Sequence, residues 1–386
     1  VIDLLVISHA CFKAINRSIY QLFLQDGWKV ELVAPVTLSF PAGIKEADPP
    51  GPGDPPIHYL PLLGDNPRTY VFDGLFELLD VKKPRIVLLD NDPVSRMAVR
   101  TGKWCMKNAS AVFCISNENL SPGIVATMQR RGVKTLPASF VKRYLLMQSK
   151  KVVSGVFAIN EDGRKLFLKE GYKRVMHMPL GFDPRFFYID NQKRKQLRQQ
   201  LQLQHPAIAY FGRLVPEKGV ALLVKALQQL QQYQWHLLMD DFDVYASDYT
   251  KEIHQLLETS GIMQRVVFIN PSHFEIGGYM NAADIVVVPS IAAPHWKEQY
   301  GRVAAEAMGC GRLVVASNSG ALPELLDKYG ILFPEGNTVL LQQQLEKLLI
   351  NADYAAHFPP EQTAHYAKTS LSIQRQKEIM EQAFNA

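Results

Sequence analysis

The stretch IVVVPSIAAPHWKEQYGRVAAEAMGCGRLVVAS, residues 285–317, holds in turn a strand, a loop, a helix and a second strand. Ile285–Pro289 is a continuous apolar run, as is Leu313–Ala316. Unbroken rather than alternating apolar runs mark strands covered on both faces, and a helix between two of them predicts a parallel, doubly wound sheet. Gly301 fits the helix entry, Arg302–Met308 has helix-forming composition, and the Gly309–Gly311 turn stops the helix. Backwards from this unit the alternation continues: strands Ala207–Phe211, Trp235–Met239 and Val266–Ile269 alternate with helices Val220–Gln231, Tyr249–Glu258 and Gly278–Ala283.

The beginning of the chain has the same rhythm. Val1–Ser8 and Lys29–Ala34 read as strands around a helix over Ala14–Asp26 that stops at Gly27, and Arg85–Leu89, Ala111–Ile115 and Gly155–Asn160 supply further strands. Pro41–Pro61, rich in proline and glycine, reads as an irregular, mobile excursion. Periodicity breaks again at PLGFDPRFFYID, residues 179–190, before the basic helix Lys193–Leu201. The 386 residues, 47% of them apolar, therefore divide into two wound α/β domains, 1–184 and 185–369, with a last helix within 370–386. Ligands of such sheets sit beyond the carboxyl ends of the strands, so two of them facing each other would make a cleft lined by loops from both.

Composition narrows the function class. The four cysteines, Cys11, Cys105, Cys114 and Cys310, form no close pair and have no histidine cluster nearby, against a zinc site or a disulfide framework. No apolar run is long enough to cross a bilayer and the first strand lacks signal-peptide flanks, which predicts a soluble, cytoplasmic protein. The net charge of +5 is uneven: residues 1–190 carry +7 and the remainder −2. Between Arg96 and Arg174 lie 16 basic and 4 acidic residues, including Arg130-Arg131, Lys142-Arg143, Lys150-Lys151 and Arg164-Lys165. That excess suits phosphates of some kind, such as an anionic membrane surface at the inner face or a phosphorylated acceptor, or is a solvated helix face. It has no interleaved aromatics, against nucleic acid. Met106, Met128, Met147 and the Phe186-Phe187 turn are expected in the core.

Three segments carry chemistry. AYFGRLVPEKG places Gly212, Arg213 and Lys218 after a strand, where two cations can stabilise a leaving diphosphate. The second is the stretch quoted first, with Glu298 in the loop and Glu306 one turn inside the helix. Backbone N–H groups at the Gly301 entry can hold a phosphate or a sugar hydroxyl. The third, SNSGALPELL, is a small-residue turn leading into a helix start capped by Ser or Asn.

In order and spacing, GRLVPEKG, the Glu-x7-Glu segment EQYGRVAAE with AMGCG, and SGALPEL resemble the retaining glycosyltransferases of the family-4 type, which have the two-domain GT-B fold. The resemblance covers about residues 208–337. It implies that Arg213 and Lys218, beside Gly212, grip the diphosphate of a nucleotide-sugar donor, and that Glu306 binds its ribose. Glu298 would contact the sugar, with Gln299, Tyr300, Gly301, Arg302 and Val303 around it, and the base would lie near Asn270. It also implies transfer with retention, no bound metal and no cofactor, and a last helix that packs back on the first domain.

The first domain departs from the pattern. Family members often have glycines after the first strand; here SHACFKAIN puts Ser8, His9 and Ala10 there, so His9 is either a substrate contact or a capped structural histidine. The usual histidine of a later loop is missing, and FCISNENLSP offers Asn117 and Glu118 in its place, against a plain polar loop. These departures motivate a rival expectation, a sugar-nucleotide-binding protein without transfer activity. The run Met239–Asp243 resembles a DxD metal motif, but it stands where this family has glycines.

Overall fold

The computed structural model describes residues 2–40, 43–64, 66, 68–120, 136–240 and 247–386. Met128, the Arg130-Arg131 pair and Asp241–Asp243 of the acidic run lie outside them. The chain forms two compact units: residues 1–181 together with 373–386, and residues 182–372.

The first unit is built on strands β1 (Leu4–Ser8), β2 (Val30–Pro35), β5 (Ile57–Leu60), β8 (Ile86–Asp90), β9 (Ala111–Ser116), β10 (Gly155–Ala158) and β11 (Val175–His177). Short antiparallel pairs, β3 (Thr37–Phe40) with β4 (Gly43–Glu46) and β6 (Leu62–Leu63) with β7 (Val71–Phe72), sit between them in the chain. The seven-stranded sheet has the order β11-β10-β9-β8-β1-β2-β5, all parallel. The β1 residues are buried throughout, as an apolar run covered on both faces requires. One face packs Leu5, Ile7, Val87 and Leu89 against Met97 and Trp104 of the helix Arg96–Lys107. The helix Ile373–Asn385 belongs to this unit: Phe384 packs against Phe23, Trp28, Phe113 and Phe157, and Lys377 pairs with Asp26 and Glu381.

In the second unit, β12 (Ala207–Tyr210), β13 (His236–Asp240), β14 (Val266–Ile269), β15 (Ile285–Val288), β16 (Leu313–Ser317) and β17 (Ile331–Phe333) form a parallel sheet in the order β14-β13-β12-β15-β16-β17. Strand order reverses between β12 and β15, the place where an open α/β sheet parts its loops for a ligand. The helices Val220–Gln228 and Thr338–Ile350 cover one face around Trp235, Leu237 and Val287.

Two expectations need correction. The described part of 41–61 is tied down: buried Arg17 donates to the carbonyls of Asp48 and Pro49 and pairs with Asp54 at 3.0 Å, and Ile57–Leu60 is the edge strand of the main sheet. Met106 and Met147 are not core residues; they are 64% and 49% exposed.

Candidate active site

In the second unit, the loops after β12, β15 and β16 close on one carboxylate. Gly219 has φ +68°, and a Cβ placed on it would lie 1.9 Å from the carbonyl oxygen of Pro289. Only glycine lets the two loops touch there. The Ile291 N–H donates to the Glu217 carbonyl at 2.8 Å, and Lys218 Nζ reaches Glu298 Oε2 at 2.7 Å. Ser290 Oγ donates to the same Oε2 at 2.6 Å, and Ser317 Oγ donates to the Ser290 carbonyl at 2.6 Å. Behind the acid, Ala321 N–H donates to the Glu298 carbonyl at 3.1 Å, and a Cβ on Gly320 would lie 1.9 Å from that oxygen. Glu298 is thus only 5% exposed, and Lys218 also lies 5.1 Å from the centre of the Trp296 ring. A cation and an anion meet at the switch point, both within reach of the solvent side of the strand ends through Lys218.

Gly301 enters the helix Arg302–Gly309 with φ 90° and no side-chain cap bond. Glu306 is half-buried; burial pushes its carboxyl up to about 7 against the opposing charge of Arg302, one turn earlier. Tyr300 is buried and its hydroxyl has no hydrogen-bond partner among the described residues, burial holding it well above the usual phenol range. The Ser319 hydroxyl is likewise buried and unpartnered. The helix Leu322–Leu326 starts at Ala321 without a side-chain cap, so the expected Ser or Asn cap is absent; Ser317 and Asn318 instead bond the Ser290 carbonyl and the Glu335 N–H. Arg213 is exposed beside Gly212, and its carbonyl accepts from Tyr210. Asn270 is exposed at the end of the outer strand β14, whereas Gln299, Arg302 and Val303 adjoin the Lys218–Glu298 pair in sequence.

Sequence reading passed over Ser290 and Trp296, and held Ser319 only as a member of the small-residue turn Ser317–Ala321. Ser290 carried a signal, a polar residue directly after a buried strand, but its bond to Glu298 spans a loop that no spacing rule fixes.

At the strand ends of the first unit, side chains do the closing that glycines allow between backbones in the second. Ser8 Oγ donates to Asp90 Oδ2 at 2.7 Å and accepts from the N–H groups of Ala10 and Cys11. His9 is exposed, with its Nδ1 3.4 Å from the Tyr70 hydroxyl. Asn117 is exposed. Glu118 is committed to two cations, Arg68 at 2.9 Å and Lys142 at 3.2 Å. Burial would raise its carboxyl, but Lys142 and Arg68 hold it below its usual range. Asp92, hydrogen-bonded by Ser116, is pushed up by burial and by the charge of Glu118. Arg68, Tyr70, Asp90 and Asp92 were not singled out from the sequence. Part of the basic excess is also internally matched: besides Lys142, Arg143 pairs with Glu170, and Arg164 and Lys165 with Glu161.

Residues 192–364 match the family model described as Glycosyl transferases group 1. The chain is 31% identical over 173 residues to the lipopolysaccharide 1,2-N-acetylglucosaminetransferase of Salmonella typhimurium, covering 42% of this chain and 44% of that protein. It is 30% identical over 227 residues to the D-inositol 3-phosphate glycosyltransferase of Corynebacterium jeikeium, covering 55% and 53%. The matches thus span about half the length of these curated relatives. Among solved structures, Anabaena HepE in complex with UDP and glucose superposes with a TM-score of 0.73 at 18% identity, over 100% of both chains. A glycosyltransferase from Rickettsia africae superposes with a TM-score of 0.75 at 16% identity, over 100% of this chain and 98% of that one. At such identities the likeness establishes the fold: two Rossmann-like units, as in the GT-B glycosyltransferases.

Proposed function

We propose that this chain, whose second unit carries glycosyltransferase group 1 sequence within a GT-B fold, is a retaining glycosyltransferase of the family-4 type that uses a nucleotide-diphosphate sugar without a bound metal. The observation that carries the reading is the Lys218–Glu298 pair, set at the switch point between β12 and β15 and braced by Ser290. In the free protein each group neutralises the other. A donor diphosphate takes up Lys218 together with Arg213 and the N–H groups following Gly301, and this releases Glu298 to accept hydroxyls of the sugar. The negative charge that grows on the diphosphate as the glycosidic bond breaks is met by groups already in place. Glu306, when ionised, accepts the ribose hydroxyls, Gln299, Tyr300, Arg302 and Val303 flank the sugar and phosphates, and Asn270 lies towards the base. Retention follows a front-face route in which the departing phosphate takes the acceptor proton.

The acceptor belongs to the first unit, where His9 and Asn117 are the exposed contacts. Glu118, held by Arg68 and Lys142, sets the charge around Asp92 instead of serving as a base. The reaction is placed in the cytoplasm, in glycan or glycoconjugate synthesis. Relatives named for lipopolysaccharide and for inositol 3-phosphate set the first acceptors to try.

Nucleotide release from a panel of UDP-, GDP- and ADP-sugars tests the reading, with Lys218→Ala and Glu298→Gln as controls. Undiminished turnover in both variants overturns the site. Nucleotide binding without transfer over a broad acceptor panel favours a sugar-nucleotide-binding protein instead.

A second reading, peripheral membrane contact, is supported by the helix Leu136–Val152. Phe140, Tyr144 and Met147, at helical spacing, are 61%, 60% and 49% exposed beside Val141, and the helix ends in Lys150-Lys151. Among the described residues no helix is long and apolar enough to cross a membrane. Sedimentation with phosphatidylglycerol vesicles at low salt should pull down the protein, and Phe140→Ser with Tyr144→Ser should abolish this; absence of sedimentation sinks the reading.

A further inference from the structure

The second unit has another recess, at the opposite ends of its strands from Lys218 and Glu298. A cavity of about 740 Å³ lies where β15 and β16 begin, with Pro206, Ile285 and Leu313 on one side and Leu348, Ala356 and Phe358 on the other. Its size is that of a small-molecule site and its walls are largely apolar. Into this wall is set Arg312, only 8% exposed. Its Nε donates to the Cys310 carbonyl at 2.9 Å, and Nη1 lies 3.5 Å from the Ala283 carbonyl. Among the described residues no carboxylate comes within ion-pair distance of it. Asp284, the nearest acid of the same wall, is already claimed by Arg194 at 2.5 Å, Arg198 at 2.9 Å and the Ala207 N–H at 2.8 Å. Glu361, on the rim, is exposed. Burial and the neighbouring charge of Arg194 work against the charged form of Arg312, and the charges of Asp284 and Glu361 offset them only in part. A buried guanidinium without a carboxylate in contact is costly to fold, and here it lines a cavity large enough to admit one.

We infer that this cavity is a binding site for a small amphipathic anion, a phosphate or carboxylate on an apolar body, with Arg312 as its counter-ion. The apolar walls take the body and the guanidinium takes the head. The inference does not depend on sugar transfer. The site is physically separate from the donor loops: the helix Arg302–Gly309 runs from the Gly301 entry at one end to the Gly309–Gly311 turn beside the cavity at the other.

Titration calorimetry of the full chain with octyl phosphate and with octanoate tests this, with octanol and inorganic phosphate as the two halves of the ligand. At least one of the two amphiphiles should bind more tightly than either half, and comparing them tells phosphate from carboxylate. Arg312→Met should weaken binding by about tenfold or more, the weight of a charge-assisted hydrogen bond. Arg213→Ala, in an exposed loop residue of the donor site, should leave it unchanged. Should Arg312→Met fail to fold, Ala356→Trp, an exposed wall position, fills the recess and should abolish binding. No binding of either amphiphile up to millimolar concentration overturns the site. So does binding that survives Arg312→Met or Ala356→Trp, and binding that falls with Arg213→Ala assigns the anion to the donor loops.

Discussion

The two units end their strands in different ways. In the second, glycines let backbones meet, and Lys218 and Glu298 are drawn inward as a pair braced by one hydroxyl. In the first, hydroxyls and ion pairs fill the corresponding places: Ser8 on Asp90, Ser116 on Asp92, and Glu118 between Arg68 and Lys142. A loop closed by backbone contact tolerates almost no change of residue, whereas a loop closed by side chains can be rewired one bond at a time.

The largest test of this contrast is Gly219→Ala. The added carbon meets the Pro289 carbonyl at 1.9 Å in a left-handed conformation, so the loops must part. We expect a loss of about 4 kcal/mol or more in thermal unfolding of the second unit, with little change in the first. Lys218→Ala comes next. It strips the counter-charge from a carboxylate that is 5% exposed and should cost about 2–3 kcal/mol, less than a fully buried pair because Lys218 keeps some solvent. Turnover should fall at least about 100-fold. Arg68→Ala in the first unit should cost only about 1 kcal/mol by denaturant titration, because Glu118 keeps Lys142; an equal loss in the two variants would erase the contrast.

Glu306→Gln probes the same comparison through pH. Its carboxyl titrates near 4.5 when unfolded and at about 7 when folded, so the unfolded chain loses the proton first and stability drains away as pH rises between those values. The substitution should leave denaturation unchanged near pH 4 and stabilise the protein at pH 8 by at most about 3 kcal/mol. A similarly small effect is expected from Ser8→Ala, which removes one hydrogen bond to Asp90 and two to the following turn for about 1–2 kcal/mol, read from the denaturation midpoint of the first unit.

The wound sheets were legible because their inner strands are covered on both faces, which leaves unbroken apolar runs such as Leu4–Ile7 and Ile285–Val288. Ile57–Leu60 was not, because an edge strand is half-buried and follows a proline-rich stretch whose anchor, Arg17, lies far back in the sequence. Lys218 and Glu298 could be picked out one by one by their place after strands. That they bond each other, across 80 positions, could not. The methionines misled for a simple reason: a flexible apolar side chain looks the same in a core and on an exposed helix face.

The helix Ile373–Asn385 sets the order in which this polypeptide can mature. On the ribosome, the first unit emerges before the second, yet Phe384, which packs against Phe23, Trp28, Phe113 and Phe157, is made after both. The earlier of the two units therefore keeps part of its aromatic core uncovered until the later one has been made.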